Sequence, residues 1–325
     1  MPVGSDQASA VPSGDHVGLS KPVASLLLHM TAGSGGFGPD STSPAALLVA
    51  FGVSTRRMGS RPHDFKAFEA QGWANRAATY GDLIGLVTAR FAEPLLDAAG
   101  VGEGTRLLDA ACGPGSLCAV AAARGAQPVG VDIAGAMVAL ARERHPGLRF
   151  LQADAEELPF DDAAFDAVAA GFLMHHLPRP DRAAAEFARV LAPGGRVAAT
   201  VWDRPGRMRL LGLINDAMAQ AGADPAVLPE GPDAFALADR EEFAALLTAA
   251  GFDEVKVQPV SMTHRAGSAD EVWNGLLGGT VRTTAQLRAQ SPARRERVRA
   301  AFAALVAAEG LDIPVAAMLA SGRRA

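Results

Sequence analysis

The sequence predicts a doubly wound α/β fold, and three observations predict it. Short apolar strands alternate with helices from about Thr105 to Trp202, and strands separated by helices pair in parallel with helices on both faces. The first of these strands, TRLLDA, runs into the turn ACGPGS. A strand that ends in glycines brings backbone up against a ligand. Acids stand at the ends of three successive strands: Asp109, Asp132 and Asp154.

Composition narrows the classes that remain. The chain has 325 residues, 49% of them hydrophobic and 20% charged, which is enough apolar surface for a sizeable core. A net charge of −5 offers no basic field for a phosphate backbone, so nucleic acid is not an expected partner. No window approaches the roughly 18 uncharged apolar residues needed to span a bilayer, so neither is a membrane. The two cysteines, Cys112 and Cys118, both lie at the glycine turn. That suits a reducing cytoplasm better than a disulfide framework. The expected partner is a small-molecule substrate, and the expected assembly a monomer or homodimer.

Taken in order, residues 1–60 are dense in Ser, Gly and Pro, as in GSGGFGPDSTSP, and hold no sustained apolar period. They read as a disordered leader. The apolar run VASLLLHM after Lys21 is short and lacks a small-x-small cleavage site, against a secretory signal; Met58 is an alternative start. Residues 61–100 read as cap helices. FKAFEAQGWANRAATY places Glu69, Trp73, Arg76 and Tyr80 on one face at steps of four, three and four. LIGLVTARFAEPLLDAAG is a second helix stopped by Gly100. The main domain, 101–325, opens with TRLLDA, the helix LCAVAAARG, the strand PVGVDI and the helix AGAMVALARER. Strands RFLQAD and FDAVAAGFLMHH follow, then the helix DRAAAEFARVL and the strand RVAATVW. Beyond them, EFAALLTAAGF is a helix ended by Gly251, and FDEVKVQPVSMTH alternates with period two through Val255 and Val257. Ser291-Pro292 opens an amphipathic helix, and IPVAAMLASGRR is the last strand. A helical insertion at about 267–310 is the expected contributor to a substrate pocket.

Three ligands compete for the glycine turn. A phosphate loop requires Lys-Ser or Lys-Thr after its second glycine, whereas Gly115 is followed by Ser116-Leu117-Cys118. A dinucleotide fingerprint is weakened by Cys118 at its third small position, and by Asp109, whose carboxylate opposes a pyrophosphate. S-Adenosyl-L-methionine carries an ammonium and a sulfonium and no phosphate, so an acid beside the turn suits it. Asp132, nineteen positions after Gly113, suits the ribose diol, because a carboxylate accepts from both hydroxyls. Asp154 suits the adenine amino group. No metal site is expected: His-Glu-x-x-His is absent, and His175 and His176 point opposite ways in an extended chain. The arginines at 294, 295, 297 and 299 spread around their helix and read as solvated surface.

The segments LLDAACGPGSL, VGVDIAGAMVALA, QADAEELPFDDAAFDAV, FLMHHL and LAPGGRVAATVW together resemble the successive motifs of class I S-adenosylmethionine-dependent methyltransferases. The nearest subgroup is that of the ubiquinone and menaquinone biosynthesis enzymes and natural-product methyltransferases. The resemblance implies a Rossmann-like, seven-stranded sheet, mostly parallel with an antiparallel last strand, under a helical cap. It implies S-adenosyl-L-methionine as cofactor, with Asp109, Ala111, Gly113 and Gly115 along the methionine part and Asp132 on the ribose. Ile133 then packs on the adenine, Ala155 offers backbone contact, Asp154 holds the exocyclic amine and Phe172 sits near the methyl group. The Tyr80 hydroxyl reaches toward the cofactor carboxylate.

The expected reaction is methyl transfer to an O, N or C nucleophile of a small, fairly apolar molecule. Trp73, Met174 and Trp273 are the expected lining of its pocket. The two adjacent histidines, His175 and His176, are both candidate bases, and His176 is the preferred one. If the fourth strand stays extended, Phe172, Met174 and His176 share one face, and His175 turns into the structure. Two rivals stay open: an NAD-dependent oxidoreductase, separated by cofactor binding, and a non-catalytic nucleoside-binding protein, separated by turnover.

Overall fold

The computed structural model describes residues 62–325, so the predicted leader at 1–60 and the alternative start at Met58 lie outside the described residues. Helices α1 (Pro62–Ala74), α2 (Ile84–Ala89) and α3 (Ala92–Ala98) come first. Strands and helices then alternate: β1 (Arg106–Ala110), α4 (Ser116–Ala123), β2 (Gln127–Asp132), α5 (Gly135–Arg144), β3 (Arg149–Gln152), β4 (Phe165–Gly171), α6 (Pro180–Val190) and β5 (Leu191–Trp202). The remainder is α7 (Arg209–Gln220), α8 (Arg240–Ala249), β6 (Phe252–Arg265), α9 (Ala269–Gly279), α10 (Arg282–Arg288), α11 (Pro292–Glu309) and β7 (Asp312–Arg324).

All seven strands join one sheet in the order β3-β2-β1-β4-β5-β7-β6. The pairs from β3 through β5 are parallel, and only the last strand, β7, runs antiparallel to its neighbours β5 and β6. The central strands are buried on both faces, which their continuous small apolar runs allow. Leu107, Leu108 and Ala110 of β1 and Val168, Ala169 and Ala170 of β4 are all inaccessible to solvent. Gly130 of β2 pairs with Phe150 of β3, and a Cβ on Gly130 would stand 2.6 Å from the Phe150 ring.

Strand order reverses at β1, which has β2 on one side and β4 on the other. The crevice beyond the carboxyl ends of strands at such a reversal is where open α/β sheets bind ligands. Asp109, Asp132, Asp154 and Phe172 all lie at this edge.

The helices begin where local chemistry starts them. Asp239 accepts from the amides of Glu241 and Glu242 to cap α8. Ser268 accepts from Glu271 N at α9, and Ser291 from Arg294 N at α11, with Pro292 in the first turn. On α11, Val298, Phe302 and Val306 are buried and Leu305 packs at the margin. Arg299 and Arg294 pair outward with Asp270 and Asp224.

Three elements depart from the sequence reading. The first helix ends at Ala74, where Arg76 N already bonds Trp73 O in a tighter turn, so Tyr80 sits in a separate 3₁₀ turn. The single helix expected after Asp82 is two, α2 and α3, parted at Arg90–Phe91. The fourth strand stops at Gly171 rather than running to His176. Phe172 takes φ +57°, its amide bonds Thr200 O at 2.9 Å, and Met174–His176 coil into a 3₁₀ turn. Helix α7 falls in a stretch to which the sequence reading assigned no element.

Candidate active site

The turn after β1 is held by the backbone and by Asp132. Ala111 adopts φ +65° and Gly113 φ +51°, and the Gly113 amide donates to Asp132 Oδ2 at 3.0 Å. Asp132 Oδ1 accepts from Ala134 N at 2.8 Å. Gly115 has φ +88°, and a Cβ on it would stand 2.8 Å from both His145 and the Phe150 ring. That glycine lets the turn pack against β3, while its neighbours Gly113, Pro114 and Ser116 line the crevice.

Above this turn lies a crevice in connected compartments. The inner one is bounded by Asp109, Gly113, Ser116, Thr200 and Tyr80. The middle one, about 910 Å³ of empty space including its mouth, is walled by Asp132, Ile133, Asp154, Ala155, Phe172 and Trp73. The two share Tyr80, Thr88, Ala111, Gly113, Gly171 and Phe172. The ring of Phe172 stacks on Trp202, centroids 3.9 Å apart. Both non-glycine residues that line this crevice with positive φ, Ala111 and Phe172, sit at strand ends; such strain, about 1–3 kcal/mol each, gathers at functional sites.

The electrostatics select the ligand. Asp109 is buried with Cys118 Sγ donating to it at 3.3 Å. Burial pushes its carboxyl up to about 7; the Asp132 charge adds to the rise and the Cys118 hydrogen bonds oppose it. Burial likewise pushes Asp132 up to about 6, against the hydrogen bonds from Ala134 and Gly113. Neither has a cationic side chain paired with it among the described residues. Two buried carboxylates with spare acceptor capacity suit a cation bearing hydroxyls and repel a pyrophosphate. S-Adenosyl-L-methionine fits that demand. Tyr80 OH bonds Thr88 Oγ1 at 2.9 Å, and burial drives its phenol to about 12, so it stays neutral.

Helix α1 leans over the same crevice. Lys66 reaches Asp154 and Glu156, each at 2.6 Å. Burial opposes its charge, but the hydrogen bonds and charges of those acids hold its ammonium above the ordinary value. Glu69, one turn on, is 3% exposed. Its Oε2 accepts from Trp73 Nε1 at 3.1 Å and lies 3.0 Å from His176 Nδ1, while its Oε1 accepts from Arg282 Nε at 2.9 Å. The sequence showed Glu69 and Trp73 one turn apart but gave no reason to join them to Arg282, which lies 213 residues away.

Beyond His176 is an outer compartment. Trp73, Ile84, His176 and Trp202 line both it and the middle one. Its far side is Leu211, Asn215 and Met218 of α7, with Val281, Thr283 and Gln286 from the α9–α10 region.

Two expected pocket residues are elsewhere. Met174 is fully buried in the core under the sheet, because the chain coils after Gly171 and the alternation of faces stops there. Trp273 packs on Phe302 of α11, centroids 5.3 Å apart, and lines a separate depression with Leu287 and Arg295. His176 lines the crevice and His175 is buried, but the 3₁₀ turn and not strand parity sets this.

His175 is enclosed, with no hydrogen-bond partner on either ring nitrogen. Burial first, then the charges of His176 and Arg282, hold its imidazole well below the usual range. It therefore stays neutral when folded, while the unfolded chain protonates near pH 6.5. The unfolded state then binds more protons, so this contribution to stability is full above about pH 6.5 and is lost as pH falls. His175→Leu is expected to melt at or above the wild-type temperature at pH 5.5, with a smaller gain at pH 8. Melting curves at both pH values check it; a variant destabilised equally at both contradicts this account of His175.

Among the described residues no group of His, Cys, Asp and Glu is arranged to hold a metal ion, and no helix is long and apolar enough to cross a membrane. Both cysteines are free and buried.

Fold and site thus define an α/β nucleoside-binding protein whose ligand is cationic. Residues 108–199 match the methyltransferase-domain family. The demethylmenaquinone methyltransferase of Thermus thermophilus is 35% identical over 164 residues, 45% of this chain and 74% of that protein. The enzyme of the same name from Clavibacter sepedonicus is 40% identical over 105 residues, 31% of this chain and 43% of that one. The ubiquinone/menaquinone biosynthesis C-methyltransferase UbiE of Idiomarina loihiensis is 40% identical over 119 residues, 34% and 47% of the two chains. The chain belongs to the class I S-adenosylmethionine-dependent methyltransferases. The match spans less than half the length of two of these three relatives.

Proposed function

We propose that this protein transfers the methyl group of S-adenosyl-L-methionine to a small, largely apolar acceptor held in the outer compartment. The observation that carries the reading is the pair of buried, cation-free carboxylates, Asp109 and Asp132, at the strand-order reversal. When bound, the cofactor supplies an activated methyl: an acceptor lone pair forms the new bond to that carbon as the carbon–sulfur bond breaks, its electron pair left on sulfur as a neutral thioether.

The chain's own residues would bind and align. Asp109 and the backbone of Ala111 and Gly113 hold the amino-acid end, with Tyr80 and Thr88 closing that compartment. Asp132 accepts from the ribose hydroxyls through lone pairs that the Gly113 and Ala134 amides leave open. Ile133 and Ala155 flank the base, and Asp154, tethered by Lys66, accepts from its amino group. Phe172, stacked on Trp202, marks the boundary with the acceptor, and Trp73 and His176 face it there. Holding two reactants in line and away from water lowers a barrier by roughly 7–11 kcal/mol, the larger share of the work here.

The relatives' names point to quinone-like acceptors, and the apolar outer wall supports an acceptor of that size and character. The free cysteines support a reducing compartment, the cytoplasm. The test is incubation with methyl-labelled S-adenosylmethionine and a panel of phenols, hydroquinones, amines and carboxylates. Label transferred to one of these in proportion to enzyme supports the reading; tight cofactor binding with no transfer to any favours a non-catalytic binder.

A further inference from the structure

We propose that Glu69 and His176 form a carboxylate–imidazole pair in which Glu69 positions His176 as the base, and that the acceptor is therefore a flat aromatic carrying an ionisable hydroxyl. This rests on the methyl-transfer reading above and names the acceptor it serves.

Glu69 is buried, yet it is held below the ordinary glutamate value: burial pushes it up, and the charges and hydrogen bonds of His176 and Arg282 outweigh that. An ionised Glu69 can only accept, so the proton between it and His176 belongs to Nδ1. In the neutral form of the ring that tautomer carries the lone pair on Nε2, which has no hydrogen-bond partner among the described residues. The Trp73 ring meets the imidazole edge-on, centroids 5.1 Å apart, and fixes its plane. Arg282 locks the other side: it donates to Glu69 Oε1, to Pro232 O at 2.8 Å and to the carbonyl of His175. His176 is thus oriented from two elements at once, and it lines both the middle and the outer compartment.

A base so placed is useful only to an acceptor that must shed a proton. Trp73, Trp202 and Phe235 give the outer compartment aromatic surface, and Asn215, Thr280, Arg282, Thr283 and Gln286 are among its polar residues. An aromatic acceptor held against these rings would bring its hydroxyl to Nε2. In the proton step the O–H bond breaks, its electron pair stays on oxygen as the nucleophile, and the proton forms a bond to Nε2. The resulting imidazolium is stabilised by Glu69 and returns its proton to water when the product leaves.

The test begins on the wild-type protein without cofactor. Nitrogen-15 spectra of the histidines at pH 8, with His176 assigned by the loss of its signals in His176→Gln, should show the proton on Nδ1. Glu69→Gln should abolish that preference. It should lower kcat about 10–100-fold on the acceptor found in the labelling assay, and leave S-adenosylhomocysteine affinity unchanged. In the S-adenosylhomocysteine complex, 2-naphthol should shift the Nε2 resonance and naphthalene should not. A wild-type proton on Nε2, or wild-type kcat in Glu69→Gln, overturns the positioning role. Equal shifts from both naphthyl probes, or none from either, overturn the acceptor class. Failure of the cofactor reading is distinguishable, since it appears as no S-adenosylhomocysteine binding while the tautomer result still stands.

Discussion

Asp132→Ala is expected to weaken S-adenosylhomocysteine binding by about 2–4 kcal/mol, roughly 30- to 1000-fold in Kd. The carboxylate has two duties in this structure. Toward the ribose it offers two charge-assisted hydrogen bonds. Toward the protein it accepts from Gly113 N and Ala134 N, and so shapes the turn that receives the amino-acid end. Alanine removes both. Asp132→Asn keeps the volume but turns an amino group toward one of those amides, so it should also bind weakly. Isothermal titration, with melting curves to show that each variant is folded, reads the effect. Wild-type affinity in a folded Asp132→Ala variant would show that the ribose lies elsewhere.

His176→Ala is expected to lower kcat by about 10²–10⁴-fold, the usual contribution of a general base, with cofactor affinity nearly unchanged. The histidine's side-chain hydrogen bond goes to Glu69 and not to Asp109, Asp132 or Asp154, the acids assigned to the cofactor. The loss therefore belongs in turnover and not in the titration. Glu69 keeps Trp73 Nε1 and Arg282 as partners in this variant, so α1 retains its anchor. A variant with full turnover from pH 6 to 9 would mean that methyl transfer here runs on alignment alone.

Much of the fold could be read because its signals are local. Each central strand is a short apolar run bounded by a turn, and the spacing of Asp109, Asp132 and Asp154 follows one strand-to-strand step at a time. Caps such as Ser291-Pro292 are legible for the same reason. The cofactor side of the site inherits this legibility, since its residues sit at strand ends. The acceptor side does not. Phe172 leaves the strand because its amide finds Thr200 on β5, a contact across 28 residues that overrides the extended preference of FLMHH. That one turn sends Met174 into the core and makes an alternating count of faces meaningless beyond Gly171. Trp273 stands in an apolar run with Leu276 and Leu277, and such a run cannot say which of two helices it packs against. Lys66, Glu69 and Arg282 act through partners 88 to 213 residues away. Only the one-turn spacing of Glu69 and Trp73 hinted at their joint position.

If buried Asp109 and Asp132 receive a cationic nucleoside, calorimetric titration of the wild-type protein with S-adenosylmethionine and with NADH, in two buffers of different ionisation enthalpy, shows it most directly. With carboxyls raised to about 7 and about 6 before binding, the cation favours their ionised forms. S-Adenosylmethionine should therefore bind with proton release near pH 6, the release fading by pH 8, and NADH should not bind. Binding of NADH without S-adenosylmethionine, or S-adenosylmethionine binding with proton uptake near pH 6, would contradict it.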